Sequence, residues 1–92
     1  MEPDIRRNLA ASRFETTVDG SLCVLDYRLR EGVLSIDHVG VPPPVEGRGI
    51  AGRLVQAAME QARREGWRVV PHCAYAAAWL RRHPDYAGLV QG

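Results

Sequence analysis

The segment VPPPVEGRGIAG combines residue types that suit the binding of an anion. Its glycines follow the spacing G-x-G-x-x-G at Gly47, Gly49 and Gly52, between a predicted strand and a predicted helix. The first turn of a helix leaves backbone N–H groups without partners, and glycines leave those groups open to a ligand. Arg48 and Arg53 could add charge-assisted hydrogen bonds. The segment therefore predicts a site for a phosphate or a diphosphate.

A second group of chemically active residues follows a short apolar stretch. Cys73 ends the predicted strand WRVVPHC, and His72 precedes it. A thiolate at Cys73 could accept an acyl group in a two-step transfer, or the thiol could donate a proton to a leaving group. The alternative role is that of a small buried apolar residue. His72 should point to the opposite face, because successive strand residues alternate.

His38 and Tyr75 are further candidates for proton transfer. His38 lies on the predicted strand beside that of Cys73, and histidine can act as a base near neutral pH. A structural hydrogen bond is the alternative for His38. Asp37 should face away from it and be solvated. Tyr75 could donate a hydrogen bond near the reacting group, or pack at the start of a helix.

The composition places these residues in one small domain, residues 1–92. The chain has 46% hydrophobic and 25% charged residues and a formal net charge of +1, which is ordinary for a globular protein. This charge balance argues against nucleic acid as a partner. No apolar run reaches the length of a membrane span, and the N-terminus lacks the pattern of a secretory signal. We expect a cytoplasmic monomer or weak dimer without a metal, in which Cys23 and Cys73 stay reduced.

The apolar pattern predicts an α+β domain of order β-β-β-α-β-α. Residues 1–12 are predicted to be a polar lead-in that is partly disordered. Alternation and turn residues predict an antiparallel meander, and helical spacing predicts a crossover to a buried parallel strand. The predicted strands are 13–18, 22–29, 33–41 and 67–73, and the predicted helices are 49–64 and 74–83.

The prolines at 42–44 should end the third strand, since they cannot donate to a ladder. Their predicted effect is to let that strand and the 68–72 strand diverge. A dinucleotide-binding fold is a poor alternative explanation of the glycines. The next strand ends in His72 and Cys73 instead of an acidic residue, and too little chain follows Gly52 to complete such a sheet.

The glycine segment resembles the cofactor loop of the GNAT (Gcn5-related N-acetyltransferase) superfamily. In that superfamily a strand ends in V-P, and a Q/R-x-x-G-x-G/A loop holds the pyrophosphate of acetyl-CoA. The motifs RFE, HVGVP, EGRGIAGRL, VVPHCAY and RRHPDYAGLV occur in the order of a small single-domain subfamily with a P-x-C-x-Y motif. The resemblance covers roughly residues 8–90. It implies a GNAT-like fold, acetyl-CoA as co-substrate, and an unidentified amine or thiol acceptor on a small molecule or protein.

The resemblance also assigns roles to single residues. It gives the backbone around Val39 and Val41 to the pantetheine arm, with the Val41 N–H directed to the thioester oxygen. It gives catalysis to Cys73, His38 and Tyr75. The residues assigned to the diphosphate are Glu46, Gly47, Arg48, Gly49, Ile50, Ala51, Gly52 and Arg53.

Two departures from the family pattern keep other functions open. Glu46 stands where Gln or Arg is usual, and Gly40 replaces a glutamate that often serves as the base. A non-catalytic CoA-binding or sensing module is therefore one alternative to acetyl transfer. An interaction domain that binds another phosphate at the same loop is the second.

Overall fold

The computed structural model describes residues 4–91. In this part of the chain, five strands form one sheet and two α-helices follow the fourth and fifth strands. The strands are β1 (Arg6–Asn8), β2 (Arg13–Val18), β3 (Ser21–Arg30), β4 (Val33–Gly40) and β5 (Arg68–Pro71). The helices are α1 (Ile50–Glu65) and α2 (Ala74–Arg81), and short 3₁₀ helices lie at Pro43–Val45 and Pro84–Leu89.

The strands follow one another across the sheet in chain order. Neighbours from β1 to β4 are antiparallel, and β4 pairs with β5 in parallel through the α1 crossover. The predicted α+β class, meander and crossover are confirmed. The predicted boundaries differ from the observed ones by up to two residues. One of the two-residue differences ends β5 at Pro71, so that Cys73 precedes α2 instead of closing a strand.

The edge strand β1 lies in the segment that was predicted to be a polar lead-in. It pairs with Arg13–Glu15 of β2 over three residues. A strand this short contains too few positions to show an alternating pattern, so β1 could not be predicted from the sequence. Residues 1–3 of the lead-in lie outside the described residues.

Both hairpin turns of the meander use a left-handed residue followed by a left-handed glycine. Asp19 and Gly20 have φ of 48° and 79°, and Glu31 and Gly32 have φ of 50° and 77°. Two consecutive positive φ values are the requirement of a type I′ turn, whose twist matches that of the strands it joins. The two turns lie at opposite ends of β3.

The core lies on one face of the sheet, beneath both helices. The helix α1 is amphipathic, and its apolar residues recur at helical spacing against the sheet. Trp79 and Leu80 anchor α2 beside α1 in the same cluster. The fully buried side chains that fill this layer are Cys23, Leu25, Leu34, Ile36, Val45, Leu54, Val55, Ala58, Met59, Ala62, Val69 and Ala76. The opposite face carries ion pairs, such as Arg13 with Asp26, and we call it the uncovered face.

Candidate active site

The strands β4 and β5 part before either chain leaves the sheet. Their parallel pairing ends at Ile36 and Pro71. The N–H groups of His72 and Cys73 then both donate to the carbonyl of Ile36, at 3.0 and 3.1 Å. Beyond this point β4 continues to Gly40 with only β3 beside it. A gap therefore opens between the end of β4 and the start of α2.

The position of the gap corrects the predicted cause of strand separation. The prolines at 42–44 lie beyond the last residue of β4, whereas pairing with β5 already stops at Ile36. The turn after Pro71 into α2 separates the strands. The prolines instead form a 3₁₀ turn, stabilised by a 3.0 Å hydrogen bond from Val45 N–H to Pro42 O, that buries Val45.

A cleft of about 550 Å³ joins this gap to the start of α1. Its wall runs from the end of β4 through the glycine segment to the first helical turn, and Tyr75 of α2 closes one side. The predicted site residues that line it are Val39, Val41, Glu46, Gly47, Gly49, Ile50, Ala51 and Tyr75, together with Gly40 and Val45.

The start of α1 has the properties of an anion site. Gly49 is the N-cap residue with φ of 78°, and no side chain caps the helix. The first intrahelical bond runs from Arg53 N–H to Gly49 O at 3.2 Å. The N–H groups of Ile50, Ala51 and Gly52 therefore precede the helical hydrogen-bond ladder and are left to a ligand or water. These donors and the positive end of the helix dipole fit a diphosphate.

Gly52 has a packing role that the sequence did not indicate. A Cβ at this position would lie 2.9 Å from Nε1 of Trp79 and 3.4 Å from the hydroxyl of Tyr75. Gly52 therefore lets α2 approach the first turn of α1, and it does not line the cleft. This contact accounts for a glycine at position 52 without any ligand.

The two arginines of the segment lie outside the cleft. Arg48 forms an ion pair with Asp19 in the β2–β3 turn, at 2.7 Å. Arg53 lines a separate groove of about 320 Å³ next to Trp79, Arg82 and His83. Tyr75 contributes to both cavities and is 38% exposed.

Cys73 lies at the apex of the gap and at the start of α2. It is the N-cap residue of that helix and is half-buried against the core. It does not line the cleft, so the structure brings Cys73 near the predicted cofactor residues without placing it among them. Cys23 is fully buried in β3, and burial raises the pKa of its thiol.

A β-bulge changes the direction of the side chains at the end of β4. Asp26 pairs with His38 and Tyr27 pairs with Ile36, which leaves Asp37 without a residue opposite it on β3. In such a bulge, two neighbouring residues oppose one residue of the partner strand. Asp37 therefore lies on the uncovered face, as does His38, and the expectation that the two residues face apart is wrong.

The His38 imidazole lies over Gly40. A Cβ at Gly40 would be 2.8 Å from Nε2 of His38. The ring is exposed on the uncovered side of the gap and does not line the cleft. His38 thus occupies the space in which a longer side chain at position 40 would begin.

Asp37 is held by Arg28 through two hydrogen bonds, at 2.8 and 2.9 Å. These bonds hold the pKa of the Asp37 carboxyl below its usual value, and a nearby His72 contributes in the same direction. His72 is exposed. Asp37, His38 and His72 therefore form a group of titratable side chains on the uncovered side of the gap.

A protein-family model described as GCN5-related N-acetyl-transferase matches residues 13–89. The chain belongs to this family. The match spans most of the chain, including the gap, the glycine segment and both helices, so it confirms the resemblance that the motifs indicated. Membership makes this GNAT domain an acyltransferase by class.

A solved structure shares the fold of this GNAT domain. It is the NMR solution structure of a Staphylococcus aureus protein described as GCN5-like and as a proposed N-acetyltransferase. The TM-score is 0.77 and the identity 25%, with 97% of this chain and 88% of that chain covered. No curated protein sequence matches the chain.

Two features of the GNAT domain bear on metals and membranes. Among residues 4–91, no three histidine, cysteine or acidic side chains are grouped to hold a metal ion. Within the same range, neither helix combines the length and apolar composition of a membrane span.

Proposed function

We propose that the protein is an acetyl-CoA-dependent N-acetyltransferase that transfers an acetyl group to an amine. The observation that carries this proposal is the continuity of one cleft, which joins an unpaired strand edge to an uncapped helix start. The family supports acyl transfer as the class of reaction, and this cleft supports coenzyme A as the carrier.

The residues of the cleft fit the two parts of coenzyme A separately. The diphosphate would be held by the N–H groups of the Gly47–Ala51 segment. The pantetheine arm would lie along Val39–Val41, where β4 lacks a neighbour on the side of the gap. An extended arm can pair with such an edge as a strand would. Acetyl-CoA supplies an activated thioester.

The side chains around the gap can move the protons of the reaction. When the amine nitrogen bonds to the acetyl carbon, the C–S bond breaks and the nitrogen must lose a proton. His38 is the proposed base because its imidazole is exposed beside Gly40, on the uncovered side of the gap. Tyr75, in the cleft wall, is the proposed donor to the leaving sulfur.

Cys73 is the proposed alternative carrier of the acetyl group. A thiolate there would take the acetyl group and then pass it to the acceptor. The position of Cys73 at the apex of the gap supports this route, whereas its half-buried packing against the core supports a structural role. Replacement of Cys73 by alanine separates the two roles.

Binding and transfer are tested in one set of measurements. Calorimetry and thermal shift with CoA, acetyl-CoA and ATP should show CoA binding that ATP does not match. Intact mass and peptide mapping after incubation with acetyl-CoA should then locate any acyl-enzyme. The chain contains no lysine, so the N-terminus and the cysteines are the expected sites of self-acetylation. The absence of CoA binding would overturn the proposal.

A non-catalytic CoA-binding module is the second candidate. It is favoured by Gly40, which leaves the family's glutamate position without a carboxylate. In that case CoA binds, but no amine or thiol in a broad panel is acetylated, and Cys73→Ala has no effect. With either function, we expect the protein to act in the cytoplasm, as a monomer or weak dimer.

A further inference from the structure

The side chain of Arg48 is directed away from the cleft. Arg48 lies between Gly47 and Gly49, whose φ values are 80° and 78°. Both glycines line the cleft, whereas Arg48 does not. Its Nη1 instead donates to Oδ2 of Asp19 at 2.7 Å, across 29 positions of sequence. Arg48 therefore contacts the β2–β3 turn of the meander and not the cleft.

Asp19 presents its carboxylate from a conformationally restricted turn. Asp19 and Gly20 form the type I′ connection of β2 and β3 described above. The two flanking strands pair over their full facing length, from Arg13 with Asp26 to Val18 with Ser21. The position of Asp19 is therefore well defined, and its carboxylate can restrain the glycine segment through Arg48.

We propose that Asp19 is a positioning residue for the diphosphate loop and acts through Arg48. This inference rests on the proposed function, because it assumes that the loop binds the diphosphate of CoA. Glycines lose much conformational entropy when a loop is ordered. A loop held by the Arg48–Asp19 pair has already lost part of that freedom, so less is lost when the ligand binds.

The exposure of the pair sets the expected size of the effect. The Arg48 and Asp19 side chains are 48% and 68% exposed. Exposed ion pairs contribute little, which corresponds here to about a two- to fivefold change in affinity. The effect should also decrease as ionic strength rises.

The chain offers a matched control for removal of the Asp19 charge. Asp19→Asn keeps a residue type that tolerates positive φ and removes one negative charge. Glu31→Asn removes the same charge, and also leaves an asparagine, at the corresponding position of the β3–β4 turn. Ten residues of β3 separate the two turns, or about 30 Å. Any difference between the variants therefore reflects the contact with Arg48 and not net charge.

The test combines calorimetry with CoA and amide spectra of the unliganded protein. Asp19→Asn and Arg48→Gln should each weaken CoA binding about two- to fivefold. The double variant should be no weaker than either single variant, since both remove the same pair. The amide signals of Gly47 and Gly49 should shift in both single variants. Glu31→Asn should change neither the affinity nor these signals, and Asp19→Glu should restore both.

Two results would overturn the proposal. Tighter CoA binding by Asp19→Asn would mean that Asp19 competes with the ligand for Arg48. Unchanged binding together with unchanged glycine signals would mean that the pair does not hold the loop. Failure of wild-type protein to bind CoA would refute the proposed function instead. The glycine signals would still show whether Asp19 orders the loop.

Discussion

The two halves of β4 differ in what lies beside them. From Val33 to Ile36 the strand pairs with β3 on one side and β5 on the other, and Leu34 and Ile36 are fully buried. From His38 to Gly40 it pairs only with β3, and Val39 and Gly40 line the cleft. The bulge at Asp37 separates the halves.

The difference shows how a small domain can hold a stable core and an open site on one strand. Burial and two-sided pairing in the first half restrain the start of the second half. The second half therefore keeps an unpaired edge without losing its position. We expect substitutions in the first half to change stability and substitutions in the second half to change function.

The largest effect on stability is expected from Ile36→Ala. Truncation of this fully buried side chain should lower the free energy of unfolding by about 3 kcal/mol. Val39→Ala, in the half-buried second half, should cost roughly 1 kcal/mol. Urea unfolding of both variants provides the comparison. Equal losses would show that the two halves do not differ in their contribution to the core.

His38→Gln should reduce acetyl transfer about a hundredfold, because an amide cannot replace a base. The His38 side chain is exposed, so the free energy of unfolding should change by less than about 0.5 kcal/mol. Steady-state kinetics and urea unfolding check the two statements, with CoA affinity as the control. Full activity in this variant would exclude His38 as the base.

Gly52→Ala should destabilise the contact between α1 and α2 by about 1–3 kcal/mol, because the new Cβ would lie 2.9 Å from a buried indole. Gly88→Ala is the matched control, since a Cβ there meets nothing within 4 Å. Thermal unfolding of both variants measures the difference. Similar melting temperatures would mean that α2 shifts to accommodate the methyl group.

Gly49→Ala should cost about 1–2 kcal/mol of stability, because an alanine at φ of 78° is strained. It should also weaken CoA binding by disturbing the start of α1. Gly66→Ala carries a similar strain at φ of 75° but lies at the far end of the helix. Calorimetry should therefore find weaker binding only for Gly49→Ala.

Asp37→Asn should have the smallest effect and should depend on pH. The folded-state pKa of Asp37 is lowered by its hydrogen bonds with Arg28. The resulting stabilisation is therefore present above the unfolded-state pKa and is lost as pH falls through the folded-state pKa. Urea unfolding should distinguish the variant from wild type slightly at pH 7, and the difference should shrink as the pH falls through the lowered folded-state pKa of Asp37. A difference that grows on acidification would contradict this assignment.

The sequence predicted the parts of the fold that depend on local signals. The turn residues that predicted the meander include Asp19–Gly20 and Glu31–Gly32, and the helical spacing of apolar residues predicted α1. The bulge at Asp37 was not predictable, because alternation along β4 assumes regular pairing. The face of His38 was therefore open until the register with β3 was known.

The candidate site divides in the same way. The spacing of Gly47 and Gly49 indicated an anion site, since open N–H groups and positive φ are local properties. The direction of Arg48 and the packing of Gly52 against Trp79 depend on contacts between distant segments. Residue types in a motif cannot distinguish a ligand contact from such a tertiary contact.

The shared acceptor at Ile36 limits how far the sheet can open. The Ile36 carbonyl accepts hydrogen bonds from the N–H groups of both His72 and Cys73. Two hydrogen bonds therefore close the gap between β4 and α2 at its narrow end. A molecule that enters the gap can separate the end of β4 from α2, but it cannot pass the narrow end that these hydrogen bonds close. The protein therefore limits how deeply a linear ligand can enter the gap, and this limit fixes the position of a reactive group at the end of the ligand.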